Sequence, residues 1–328
     1  MANNHEQFTA FHDAIKANDT RIQTLIDNRQ ALRAKIRKYF KESLPNEIQP
    51  RFWSQGSFAT NTILNPIKDV DGLAAYDLDD GVYFIGSSES DRHEIQWYHD
   101  KIYTAVEGHT SQKPNDKKSC VRVNYADGHH IDLPIYFKVK SDAHPQLAHK
   151  KKPWVKQDAR EFNEWFEYEC KEKKQLKKIV RFLKAWRDYM KKEKNVELPC
   201  GFILTILATQ YYTEREKTRL DVIMKDTLIA MYEALSKRGQ FCCFRPVSPY
   251  ENLFEFYSET KKETFLSHLK SFCIDAERAI KSNNQKEGCE KWQKHFGTRF
   301  SCSNALDVDE DAAQNRFAGT IKSNSQYA

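Results

Sequence analysis

Apolar residues recur at three- and four-residue steps through Ile22, Leu25, Ile26, Leu32, Ile36, Tyr39 and Phe40, the stripe of a helix that packs one face on a core. The spacing predicts helix through the first forty residues, with a cap at Asp19 or Thr20 and an end at Pro45 and Pro50. The pattern then changes to strand-forming segments: Arg51 to Ser54, Ala75 to Ile85, Cys120 to Tyr125 and His130 to Lys138. An Ala126-Asp127-Gly128 turn joins the last two as a hairpin. Ser90 to Val106 returns to helical spacing, with Ile95, Tyr98, Ile102 and Val106 available to cover one face of the sheet. Beyond Asp158 the pattern is almost wholly helical, over Asp158 to Lys173, Lys174 to Lys194, Pro199 to Tyr212, Asp221 to Lys237 and Thr260 to Ser282. Ser303 to Ala328 is rich in Asn, Ser, Asp and Ala and reads as a mobile tail.

The expected fold class is therefore α+β, a small mixed or antiparallel sheet with helices followed by a helical lobe, with a cleft between them. The expected division is residues 1–157 for the N-terminal helices and sheet, 158–302 for the helical lobe and 303–328 for the tail.

Candidate chemistry gathers in the strand half. Side chains alternate along a strand, so Asp77 and Asp79 in Tyr76-Asp77-Leu78-Asp79-Asp80-Gly81 point one way, and Asp80 points the other and is expected to be structural. Asp132 stands alone in the apolar run Ile131 to Tyr136, where an unpaired carboxylate is costly. If Asp132 lies on a neighbouring strand, the three carboxylates form a cage of hard oxygen ligands for magnesium or manganese, with two ions suited to displacement at phosphorus. Upstream, Gln55-Gly56-Ser57 forms a turn whose backbone N–H groups and hydroxyl can meet phosphate oxygens. A rival pair, Asp69 and Asp71, sits between Pro66 and Gly72 and belongs to the turn feeding the strand. Lys184, in the charge-rich segment Lys174 to Lys194, is the first choice to grip phosphates, and Tyr136, Tyr211 and Tyr212 are candidates to stack on a purine.

Composition narrows the class. The 328 residues can fill real cores, and neither a membrane-length apolar run nor a signal-peptide pattern is present, so the expected compartment is the cytoplasm. The formal charge of +6 suits a polyphosphate ligand and does not demand nucleic acid. The eight cysteines show no CxxC spacing and are expected to be mostly buried thiols; Cys242, Cys243, Cys289 and His295 make only a loose zinc pattern.

Three groups of residues resemble the bacterial cGAS/DncV-like nucleotidyltransferases (CD-NTases) of CBASS anti-phage systems. They are Gln55-Gly56-Ser57-Phe58-Ala59-Thr60, Tyr76 to Phe84 with Val121-Arg122-Val123 and His130 to Tyr136, and the Arg160 to Phe166 and Arg181 to Asp188 segments. The resemblance implies a polymerase β-like nucleotidyltransferase palm joined to a C-terminal helical lobe, with nucleotides bound between them. It implies Asp77, Asp79 and Asp132 as metal ligands and Gln55, Gly56 and Ser57 as the nucleotide loop. The implied reaction turns nucleoside triphosphates, ATP and/or GTP, into a cyclic di- or trinucleotide messenger that activates a downstream effector. The tail ending at Ala328 resembles tails that E1/E2-like accessory proteins join to targets in some CBASS operons. No membrane and no nucleic acid are required. Ala74-Ala75 stand where an acidic residue is expected, and Asp69 to Leu73 looks like an extra loop. Two other readings share the motifs: a template-independent enzyme extending RNA ends, and an inactive nucleotide-sensing module.

Overall fold

The computed structural model describes residues 1–67, 76–214 and 219–308. The rival Asp69 and Asp71 pair, the Ala74-Ala75 departure and the tail end at Ala328 lie outside the described residues. In chain order the elements are α1 (His5–Ile15), α2 (Asp19–Ser43), β1 (Arg51–Gln55), α3 (Gly56–Ala59), β2 (Asp77–Gly86), α4 (Ile95–Val106), β3 (Asn115–Asp116), β4 (Cys120–Asn124), β5 (His130–Val139), β6 (Gln146–Leu147) and β7 (Val155–Lys156). The helices α5 (Ala159–Glu172), α6 (Leu176–Lys194), α7 (Gly201–Tyr211), α8 (Leu220–Leu235), α9 (Glu259–Lys281) and α10 (Gln285–Phe296) follow.

The chain divides into two compact units. One comprises Lys16–Glu172 with Phe244–Asn252 and carries the sheet; the other comprises Met1–Ile15, Lys173–Cys243 and Leu253–Ala328 and is helical. The cap expected at Asp19 or Thr20 falls at Asn18, whose side chain accepts from Arg21 N–H at 2.9 Å to start α2, and α1 precedes it as a separate helix. Helix α1 groups with the C-terminal helices through its apolar face, where Phe8 and Phe11 meet Phe182, Phe296 and Phe300. Helix α5, capped by the Asp158 carboxylate on Arg160 and Glu161 N–H, groups with the sheet. The cysteine expectation needs one correction. Cys289 and Cys302 are joined in a disulfide, their Cα atoms 5.8 Å apart, which also removes Cys289 from any zinc set.

The sheet is mixed, in the order β1-β2-β5-β4-β3, with β6 and β7 continuing from β5. Only β2 and β5 run parallel in that path. One face carries Leu78, Val82, Phe84, Ile131, Leu133, Ile135 and Phe137 and forms the main core with Leu25, Leu32, Ile36 and Phe40 of α2 and Tyr98 and Ile102 of α4. Asp80 also points into this core, as its parity predicts. Its buried carboxylate takes a two-pronged grip from Arg33 on α2, Nε to Oδ2 at 2.7 Å and Nη2 to Oδ1 at 2.5 Å, and a hydrogen bond from the Ser54 hydroxyl at 3.2 Å. Arg33→Met leaves that carboxylate buried without its ion-pair partner, so urea unfolding should show a loss of about 3–5 kcal/mol.

A second polar cluster ties α4 to the sheet edge. His99 Nδ1 and Lys150 Nζ hold the two oxygens of Asp116 at 2.7 and 2.6 Å. Burial raises the Asp116 pKa, but the Lys150 and His99 bonds outweigh it and leave it below the usual carboxylate value. A depressed folded-state value stabilises above the unfolded carboxylate pKa and loses that stabilisation as pH falls through the folded value. Thermal melts of Asp116→Asn should therefore sit below wild type at pH 7 and converge with it in strong acid.

Candidate active site

The face of the sheet opposite the main core holds the chemistry, and strand register builds it. Gln55 pairs with Asp79 across β1 and β2, Asp79 with Asp132 across β2 and β5, and Asp132 with Arg122 across β5 and β4. Directly paired residues share a face, so these four side chains form one transverse row. Asp77 lies two residues along β2 from Asp79, on the same face, paired with His130. The structure thus brings Asp77, Asp79 and Asp132 onto one face of adjoining strands.

Gly56 explains the turn that borders them. Its φ is +66°, and a Cβ added there would collide with Oδ2 of Asp79. Glycine is needed both for the left-handed backbone and for the approach of the carboxylate. Thr60 N–H and hydroxyl close the turn on the Gly56 carbonyl at 3.2 and 3.0 Å, and Thr62 N–H donates to the Ser57 carbonyl at 2.8 Å.

Two of the predicted site residues have roles set by burial. Gln55 is almost buried, and its amide donates to the Tyr136 hydroxyl at 3.1 Å. Tyr136 is fully buried, its ring stacked on Tyr83 at a centroid separation of 4.5 Å. A ring covered on that face by Tyr83 is a support beneath the row and not a platform for a purine; burial pushes its pKa well up. Lys184 belongs to the helical unit, where its stem lies against Gly201 at the start of α7.

The residue that motif reading passed over is Arg122. Its Nε donates to Oδ1 of Asp132 at 2.6 Å and its Nη2 to Oδ2 at 2.7 Å, so both carboxylate oxygens are engaged by one guanidinium on the β4 side. Burial works against the Arg122 charge, and the Asp132 bonds outweigh it and raise its pKa. His130, beside Asp77, is held below its ordinary value by burial and then by Arg122, against the pull of Asp132 and Asp77. Burial, with Asp132 second, pushes the Cys120 thiol up to about 12, so it stays protonated at neutral pH.

Among the described residues, the set of three metal-binding side chains whose ligand atoms all lie within 4.8 Å of one another is a different one, His144, Asp158 and Glu161. There the Asp158 Oδ1 is committed to capping α5, and His144 Nδ1 lies 3.4 Å from its other oxygen. In the row, both Asp132 oxygens are bonded to Arg122 on β4. The row's donor set still suits a hard divalent cation: three carboxylates on one face, with Asp79 packed closely against the Gly56 turn.

Comparison with known proteins agrees with this geometry. Residues 50–136, which span the turn and all three carboxylates, match the family model described as cyclic GMP-AMP synthase DncV-like, nucleotidyltransferase domain. A cyclic GMP-AMP synthase of Escherichia albertii is 24% identical over 275 residues, covering 81% of this chain and 57% of that protein. A c-di-GMP synthase of Roseivirga ehrenbergii is 26% identical over 258 residues, covering 69% of this chain and 65% of that protein. The chain thus spans somewhat over half the length of these curated relatives. The crystal structure of Vibrio cholerae DncV cyclic AMP-GMP synthase with nonhydrolyzable GTP superposes with a TM-score of 0.78 at 19% identity, over 94% of this chain and 100% of that one. The fold is accordingly a nucleotidyltransferase palm with a C-terminal helical region, and among the described residues no helix is long and apolar enough to cross a membrane. Residues 50–136 thus match a DncV-like nucleotidyltransferase domain, and the chain as a whole is similar to bacterial cyclic GMP-AMP and c-di-GMP synthases.

Proposed function

We propose that this protein joins nucleoside triphosphates into a cyclic di- or trinucleotide, with Asp77, Asp79 and Asp132 as its catalytic carboxylates. The observation that carries the proposal is their placement on one face of two parallel strands beside the Gly56 turn, inside the segment that matches the family model. The names of the relatives favour a ring of two purine nucleotides that includes guanine.

Asp77 and Asp79, with Asp132, would hold Mg²⁺ or Mn²⁺, in the two-ion arrangement suited to this chemistry. Bound there, the ions supply charge neutralisation at the triphosphate and a lowered pKa for the attacking hydroxyl. The remaining work falls to the chain. Gly56 and Ser57 present backbone N–H groups and a hydroxyl to the phosphates. Asp132 accepts the proton of the attacking ribose hydroxyl, the ribose oxygen bonds to the α-phosphorus, and the bond to pyrophosphate breaks. A second such step closes the ring. Catalysis rests on alignment and on charge balance in a fixed frame, for which Gln55, Tyr136 and Tyr83 form the buried floor. Lys184 is proposed as a further phosphate contact.

The proposal extends to the cellular setting that the resemblance implies: a product that activates an effector in anti-phage defence, and an E1/E2-like accessory protein acting at Ala328. Mass spectrometry with nuclease mapping of products made from all four triphosphates, with Mg²⁺ or Mn²⁺ and no RNA, tests the reaction. Cyclic products support it; products that form only as extensions of added RNA overturn it.

A further inference from the structure

We infer that Arg122 is an internal counter-ion that competes with a divalent cation for Asp132, and thereby makes cation binding at the carboxylate row depend on the polyanionic substrate. The inference rests on the proposed role of that row and adds a residue to it. Register places Arg122 directly opposite Asp132, and the guanidinium fork closes on both carboxylate oxygens at 2.6 and 2.7 Å. A carboxylate gripped this way presents to arginine the same edge that it would present to a metal ion. The Asp77 charge also acts on Arg122, so the guanidinium sits within the field of the row and offsets part of it.

A cation arriving alone therefore meets one carboxylate already neutralised and a like charge beside it. A triphosphate changes both conditions. It brings negative charge to the cation, and its phosphate oxygens offer the guanidinium fork a partner of matching geometry, which frees the Asp132 edge. Side-chain exposures of 23% for Arg122 and 12% for Asp132 leave the pair within reach of such a ligand.

The competing role differs in sign from a supporting one. If Arg122 merely oriented Asp132 for the metal, removing it would weaken cation binding; if it competes, removing it tightens binding. Mn²⁺ binding to the full chain, read by electron paramagnetic resonance with and without a nonhydrolysable triphosphate, separates the two. Arg122→Met is expected to tighten Mn²⁺ binding without nucleotide by about tenfold, and to shrink by a similar factor the gain in Mn²⁺ affinity that nucleotide produces. Arg122→Lys keeps a point charge and loses the fork, so it should tighten binding by about threefold; it carries the test alone if circular dichroism shows Arg122→Met unfolded. Unchanged or weaker Mn²⁺ binding in the folded variants overturns the inference. Asp77→Asn with Asp79→Asn separates the two levels of the argument. Mn²⁺ binding indifferent to that change sinks the carboxylate site and this inference together, whereas binding that needs those carboxylates but ignores Arg122 sinks the inference alone.

Discussion

Asp77→Asn combined with Asp79→Asn is expected to lower cyclic nucleotide formation by about a thousandfold or more, because carboxamides are poor ligands for hard divalent cations and the charge balance at the α-phosphate is lost with them. The fold should survive. Both side chains are half-exposed and lie on the face opposite the main core, and asparagine keeps their shape. Activity measured from all four triphosphates, with circular dichroism as the fold control, checks this. Asp80→Asn makes an instructive contrast: it leaves the row untouched and removes the charge that Arg33 holds, so its main effect should be on stability.

Gly56→Ala is expected to be nearly as damaging to activity while adding only a methyl group. The backbone conformation at φ +66° costs alanine about 1–2 kcal/mol. The larger effect is local, since the new Cβ occupies the place of Oδ2 of Asp79 and must push that carboxylate out of the row. Displacing a reacting group by about 1 Å costs on the order of a hundredfold in rate, so turnover should fall far more than the melting temperature does. Turnover close to wild type would mean that the Asp79 position beside Gly56 has no catalytic importance.

Much of this site was legible because strands enforce a period of two. Parity alone separates Asp77 and Asp79 from Asp80, and the structure places Asp80 under Arg33 in the core as that parity requires. The Gly-Ser turn was visible as a turn, but not the reason for its glycine, which depends on a side chain over twenty residues away. Arg122 went unread for a similar cause: its role exists only once the Tyr125 to His129 turn fixes the β4 and β5 register and sets it against Asp132. That turn is in the sequence, and counting back from it would have found the pair. Tyr136 reads as a stacking candidate because an aromatic within a strand looks the same in sequence whether or not another ring covers it, and the covering ring, Tyr83, comes from β2. The predicted helix starts fall within a residue or two of those observed for α5, α6, α7, α8 and α9. Helix α10 escaped notice, since its few apolar residues, among them Trp292 and Phe296, are scattered through lysine, glutamate and glutamine, and Gly288 interrupts the pattern. Gly288 is there because a Cβ would press on the Ala279 carbonyl of α9.

The central claim is that Asp77, Asp79 and Asp132 together grip divalent cations beside the Gly56 turn. Anomalous diffraction from crystals grown with Mn²⁺ and a nonhydrolysable triphosphate tests it most directly. The account predicts manganese peaks coordinated by oxygens of all three aspartates, with the phosphates against Gly56 and Ser57. Manganese bound instead at His144, Asp158 and Glu161, with the three aspartates bare, would contradict it.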